Sequence, residues 1–175
     1  MEIFCWTFFL ALCNTKHSMR FKLFLSFFIS LSLFACSSGT IFDSYQAIEN
    51  HSMSSDSSYS FDFEIDDTTH YYNIAFKLRI DDSYRYSNLY ILYKMTGPTG
   101  KSKTVRQNFD LASKDGKWLG KGYSNIFSYN FPIMHEIEFK SSGKYTLEVA
   151  QFMRTDQLMG VHDVGFEIIK GDEVF

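Results

Sequence analysis

YYNIAFKLRID, residues 71–81, decides the fold class. Within it Tyr72, Ile74, Phe76, Leu78 and Ile80 alternate with Asn73, Lys77 and Arg79. A period of two places the first set on one face of an extended chain and the second set on the other, the pattern of a strand with one buried side. YSFDFEID at 59–66 repeats it, with Tyr59, Phe61, Phe63 and Ile65 set against Ser60, Asp62 and Glu64. Asp66-Asp67-Thr68-Thr69 between the two runs supplies turn residues.

The same reading extends toward the C-terminus. Leu89 to Met95, LYILYKM, is apolar on both faces for most of its length and reads as a central strand. Thr96-Gly97-Pro98-Thr99-Gly100 turns the chain, and Thr104 to Leu111 returns it. After the turn Ser113-Lys114-Asp115-Gly116 come Lys117 to Gly122 and a Tyr/Phe-rich segment holding Pro132. His135 to Phe139 alternates again, Tyr145 to Arg154 is a long strand, and Val164 to Ile169 is the last. Seven or eight short strands separated by turn signals, with no amphipathic helix, predict an all-β fold. The expected form is a single antiparallel β-sandwich, jelly-roll or immunoglobulin-like, over 59–171. An aromatic content of 18% suits pleated, half-buried surfaces.

Upstream of the strands, MRFKLFLSFFISLSLFAC at 19–36 has the order of an export signal: Arg20 and Lys22, an apolar run from Leu23 to Phe34, then small Ala35 before Cys36. Leu33-Phe34-Ala35-Cys36 is close to a bacterial lipobox, in which the cysteine becomes the first mature residue and carries the lipid. A transmembrane anchor is the competing reading, but about a dozen apolar residues fall short of the ~20 that a span needs. Residues 1–35 are therefore read as leader, with the signal peptide at 19–35. Residues 1–18 are an extended n-region or the product of an upstream start codon. The serine-rich stretch 36–58 is expected to be a flexible, lipid-anchored tether, with Ile41-Phe42 and Tyr45 to Ile48 able to pack on the domain. No acidic cluster follows Cys36, which favours an outer-membrane protein facing the periplasm.

The whole chain carries a formal charge of −3. Removing Lys16, Arg20, Lys22 and Glu2 with the leader makes the body more acidic still, which argues against nucleic acid and against adsorption to anionic lipid. Cys5 and Cys13 lie upstream of Cys36, so the mature body has no thiol to pair. That excludes disulfides, cysteine-ligated zinc, iron–sulfur clusters and a cysteine nucleophile there, and the domain must stand on its apolar core.

Several stretches taken together resemble the gliding-motility lipoprotein GldH family of Bacteroidota. They are Cys36, Tyr45-Gln46-Ala47-Ile48, Asp67-Thr68-Thr69, and Tyr72-Asn73 through Arg79 to Tyr86-Ser87-Asn88-Leu89. Pro98-Thr99-Gly100 and Asp115 to Gly122 continue the likeness. Gly143-Lys144-Tyr145, Gln151 to Arg154 and Gly160 to Gly165 close it. The resemblance implies a membrane-tethered accessory of the gliding machinery, which shares parts with type IX protein secretion. Its partners would be other proteins of that apparatus. It implies no catalytic motif and no cofactor beyond a covalent lipid on Cys36.

Among candidate sites, His51, His70, His135 and His162 show no usual ligand spacing, so no metal site is expected. His162-Asp163 is half of a catalytic pair at most and reads as the turn before the last strand. There is no Gly-x-Ser-x-Gly, and the chain is expected not to be an enzyme. Asp66-Asp67 and Asp81-Asp82 lack the glycine-turned loop of a calcium site and read as solvated turns. A glycan platform built from Tyr84, Tyr86, Tyr90, Trp118, Tyr123, Phe127 and Tyr129 is the alternative function, and no other small-molecule ligand is expected. The favoured site is a protein interface at Trp118, Leu119, Gly120, Lys121 and Gly122, because tryptophan is a frequent interface anchor and flanking glycines permit close approach. Trp118 capping one end of the sandwich is the competing reading.

Overall fold

The computed structural model describes residues 39–174; the leader, Cys36 and its expected lipid lie outside them. The strands are β1 (Thr40–Ala47), β2 (Ser52–Ser54), β3 (Tyr59–Ile65), β4 (His70–Asp81), β5 (Asn88–Thr96), β6 (Ser102–Asp110), β7 (Lys121–Tyr123), β8 (Ile126–Glu138), β9 (Gly143–Gln151), β10 (Gln157–Met159) and β11 (Val161–Glu173). A 3-10 turn, Glu49–His51, joins β1 to β2. One sheet has the order β1-β11-β4-β8-β7, a second β3-β9-β5-β6, and β2 pairs with β10 in a small third sheet. Every described pairing between named strands is antiparallel.

The alternation in β4 becomes a buried row: Tyr72, Ile74, Phe76, Leu78 and Ile80 are all buried, as are Phe61, Phe63 and Ile65 of β3. These rows meet between the two larger sheets. Phe61 of β3 meets Phe166 of β11 edge-on at 5.3 Å, and Phe76 of β4 stacks on Phe109 of β6 at 5.6 Å. Aromatic pairs at these spacings add to the area that they bury. The all-β sandwich expected from the alternation is what the described residues form.

Four expectations are corrected. The flexible tether read over 36–58 does not hold for its described part, where the packing expected of Ile41-Phe42 and Tyr45 to Ile48 takes the form of a full strand: β1 pairs with β11 from Thr40↔Ile169 to Ala47↔Asp163, and Ile48 and Met53 are buried. Among the described residues the folded unit therefore includes β1, upstream of Tyr59, and β11 as far as Glu173. β1 lacks clean alternation because none of its residues is fully buried; backbone pairing holds it, helped by Phe42 against Phe63 at 6.0 Å and by an ion pair from Lys77 to Asp43 at 2.7 Å. The strand count among the described residues is eleven: β2 and β10 are too short to show a period, and Pro132 within β8 disguised a 13-residue strand. β5 does lie between β9 and β6, but only one face is closed. Leu89, Ile91 and Tyr93 are buried whereas Tyr90 is 39% exposed. Finally, His162-Asp163 lies within β11, not in a turn before it.

Candidate functional site

The stretch Trp118 to Gly122 is positioned by a tight reversal. Gly116, at φ 80, allows the turn; its N–H donates to the Ser113 carbonyl, and the Leu119 N–H reaches back to the Leu111 carbonyl at 2.9 Å. Trp118 is half-buried, meeting Tyr84 edge-on at 6.3 Å and Phe127 at 5.6 Å. The Tyr129 ring passes beneath Gly120, where an added Cβ would lie 2.7 Å from it, and the Tyr129 hydroxyl donates to the buried Leu111 carbonyl at 2.8 Å. Burial raises the pKa of Tyr129. Gly120 and Gly122 thus make room for Tyr129 and Phe127 of the same chain. What faces outward is Leu119, 59% exposed, and beyond it Tyr123, 88% exposed, on β7 at the edge of its sheet.

The seven aromatics of the expected glycan platform do not form one exposed surface, although Tyr86, Tyr84, Trp118 and Phe127 touch in series. Tyr84 and Tyr129 belong to the core, Trp118 and Phe127 pack against it, and Tyr123 stands on the β7–β8 hairpin. Tyr86 and Tyr90 instead line an open cleft of about 650 Å³ with Arg106, Phe152, Met153 and Arg154. Gln151, buried at the end of β9, holds the loop that carries Phe152, Met153 and Arg154. Its Oε1 accepts from the Met153 N–H at 2.7 Å and its Nε2 donates to the Thr155 carbonyl at 2.8 Å. The Phe152 N–H donates to the Tyr90 carbonyl, and the Arg106 guanidinium lies 5.7 Å from the centre of the Phe152 ring. Neither Arg106 nor Arg154 enters an ion pair among the described residues. The sequence offers no sign of Arg106, and Phe152 and Arg154 stand in it only within the Gln151 to Arg154 stretch of the family resemblance, not as site residues. The available signal was Phe152, a large apolar residue on the outward phase of the strand read from Tyr145 to Arg154.

The aspartate pairs divide in the same way. Asp67 accepts from the Thr69 N–H and hydroxyl and from Lys170 at 2.7 Å. Hydrogen bonds from Lys170 and Thr69 hold its carboxyl well below the usual carboxylate range. Asp81 caps the turn after β4 by accepting from Ser83 and also pairs with His162 at 2.7 Å. Burial opposes ionisation of Asp81, and the hydrogen bonds from Ser83 and His162 outweigh it, so its pKa falls. The fold brings His162 to His51 as well, a meeting hidden by the separation of the two residues in sequence.

The chain is similar to known proteins over nearly its whole length. A family model described as GldH lipoprotein matches residues 40–168. The "Gliding motility lipoprotein GldH homolog" of Christiangramia forsetii is 30% identical over 159 residues, which cover 87% of this chain and 97% of the relative. "Gliding motility lipoprotein GldH" of Flavobacterium johnsoniae is 29% identical over 150 residues, covering 82% of this chain and 92% of the relative. Among solved structures, the infectious bursal disease virus VP2 subviral particle overlaps 76% of this chain and 32% of its own, at 16% identity and a TM-score of 0.35. The family match spans the described strands from β1 into β11, and on that ground the chain belongs to the GldH lipoprotein family.

Proposed function

We propose that this protein is a lipid-anchored, non-enzymatic component of the gliding motility machinery, associated with type IX secretion and acting through protein contacts. Family membership over 40–168 supports the motility role. Acyl chains on Cys36 would hold the domain at the outer membrane, facing the periplasm. The observation that carries the contact reading is the exposure of Leu119 and Tyr123 side by side with a buried frame. Trp118, Gly120 and Gly122 fix the backbone against Tyr84, Tyr129 and Phe127, while the two large apolar side chains on the same stretch meet solvent. Rigidly presented apolar side chains at a sheet edge suit a protein partner.

Crosslinked co-purification in mild detergent from native membranes tests this. The wild-type chain is expected to recover motility or secretion proteins, and a Leu119→Asp/Tyr123→Ala double variant to lose them while remaining folded and membrane-bound. Equal recovery by the two would overturn the assignment of this surface. Absence of any protein partner with the wild type would overturn the contact reading itself.

A second reading, glycan binding, is favoured by one observation. Tyr86, Tyr90 and Phe152 are each more than a third exposed around one open cleft, with Asn88 and two arginines beside them. Retention of the wild type on insoluble polysaccharide, lost in Tyr90→Ala/Phe152→Ala, is its expected outcome.

A further inference from the structure

Three elements distant in sequence converge at one end of the five-stranded sheet. The 3-10 turn brings His51, the end of β4 brings Asp81, and the start of β11 brings His162. Each offers one ligand atom, and the three atoms lie within 4.8 Å of one another. The two imidazoles stack with centroids 3.6 Å apart and planes 23° from parallel, and His162 Nε2 lies 2.7 Å from Asp81 Oδ2. We propose that His51, Asp81 and His162 form a binding site for a borderline divalent cation, zinc foremost.

The donor set decides the class of ion. Two imidazoles and one carboxylate suit zinc and its neighbours, whereas calcium takes six to eight oxygens. Zinc with three protein ligands keeps a fourth position open, and His51 stands at the exposed side where that position would face solvent. Ligands around a tetrahedral zinc stand about 3.4 Å apart, so the His162–Asp81 pair must open from 2.7 Å and the exposed His51 ring must turn out of its stack on His162 to close the set. The cation would replace the hydrogen now shared between His162 Nε2 and Asp81 Oδ2.

Two further features show that the position of His51 is built. Asn50 and His51 both adopt left-handed backbone, at φ 53 and 52, an uncommon arrangement for two successive residues with side chains. Backbone hydrogen bonds hold it there: His51 N–H to the Ile48 carbonyl at 3.1 Å, Gly160 N–H to the His51 carbonyl at 2.9 Å, and Ile48 N–H to the His162 carbonyl at 2.8 Å. Asp81 is oriented from its other oxygen, Oδ1, by the Ser83 N–H and hydroxyl, leaving Oδ2 toward His162. Such support of a ligating carboxylate is what a metal site needs around its ligands. A bound ion would clip the N-terminal strand and turn to β4 and β11.

The test uses the full lipidated chain, purified in mild detergent through a tag without histidine and stripped with chelator. Zinc is titrated against a chromophoric competitor, and cobalt is added separately to read coordination from its visible spectrum. One zinc per chain and a tetrahedral cobalt spectrum are expected. His51→Asn, which tolerates the left-handed backbone, and His162→Gln should each weaken zinc binding roughly 100-fold or more. His70→Gln and His135→Gln should leave it unchanged. Substoichiometric uptake by the wild type, or undiminished binding by His51→Asn, would overturn the proposal. If His162→Gln unfolds, His51→Asn on the exposed turn decides alone.

Discussion

Phe109 of the four-stranded sheet and Phe131 of the five-stranded sheet stack with centroids 4.4 Å apart, nearly in parallel. On either side the stack continues to Phe76 at 5.6 Å and to Tyr129 at 5.4 Å. This column of rings joins β4, β6 and β8, and Tyr129 at its end is the ring on which Gly120 rests. The column of rings therefore runs from the core to the corner that carries Leu119.

Phe109→Ala removes the centre of that column. Truncating a buried phenylalanine forfeits its transfer free energy and leaves a cavity, together about 3–5 kcal/mol. Urea unfolding should show that loss with little change in slope. A loss below about 1 kcal/mol would mean that the sheets do not depend on this contact.

Gly165→Ala addresses the docking of the first strand. Gly165 pairs with Tyr45, and an added Cβ would fall well inside the contact distance of the Ser44 carbonyl oxygen. Backbone cannot yield as a flexible side chain does, so β1 should detach at a cost of about 2–3 kcal/mol. Limited proteolysis should then cut within residues 40–47 in the variant and spare them in the wild type. Equal resistance would show that β1 accommodates the methyl group in place.

The contrast between β4 and β1 explains what the sequence could reveal. In β4 every second residue enters the core, so burial writes a period of two into the chain. β1 is an edge strand held by backbone bonds to a partner more than a hundred residues away, and such pairing leaves no local pattern. Sites follow the same logic. Trp118 and Gly120 stood out by residue type, but type alone does not tell a ring facing a partner from a ring facing Tyr84. The His51–Asp81–His162 cluster was invisible because three distant elements make it, and the cleft at Tyr90 because β5, β6 and the loop after β9 build it together.

Acid should weaken the pairing of Asp67 with Lys170. Hydrogen bonds from Lys170 and Thr69 lower the folded-state pKa of Asp67, so below a pH of about 4 the unfolded chain binds more protons at this position than the folded one. The contribution is complete above that value and is lost as pH falls toward the lower folded value. Lys170 has its pKa raised, chiefly by the same hydrogen bond, so its contribution is lost only as pH rises past the ordinary lysine range. Asp67→Asn should lower thermal stability at pH 7 and flatten its decline between pH 5 and 2. The difference from wild type should shrink in high salt, because the pair is partly exposed. Parallel melting curves with identical acid slopes would remove Asp67 from the account.

Cys36→Ala tests the anchor independently of the fold. The described strands begin at Thr40, so the substitution touches no strand of the core. Wild-type protein should partition with membranes and incorporate labelled palmitate; the variant should do neither and should keep its melting temperature. Palmitate labelling that survives the substitution would place the lipid elsewhere.

Gln151 offers a way to disturb the aromatic cleft without touching its walls. The side chain is buried, and its amide satisfies the Met153 N–H and the Thr155 carbonyl, the two backbone groups that turn Phe152 to Arg154 toward Tyr90. Gln151→Leu fills similar volume but leaves both groups without a partner, a cost of about 1–3 kcal/mol. Because Tyr90 also holds this loop through its carbonyl and the Met153 sulfur, the strands should persist while the loop loosens. Hydrogen exchange is therefore expected to accelerate at 152–156 and to stay slow in the centres of β5 and β9. Any retention on polysaccharide should fall with it, since Phe152 and Arg154 would no longer be fixed opposite Tyr90. Unchanged exchange at 152–156 would show that the Tyr90 contacts alone shape the cleft, and that Gln151 is merely accommodated beneath it.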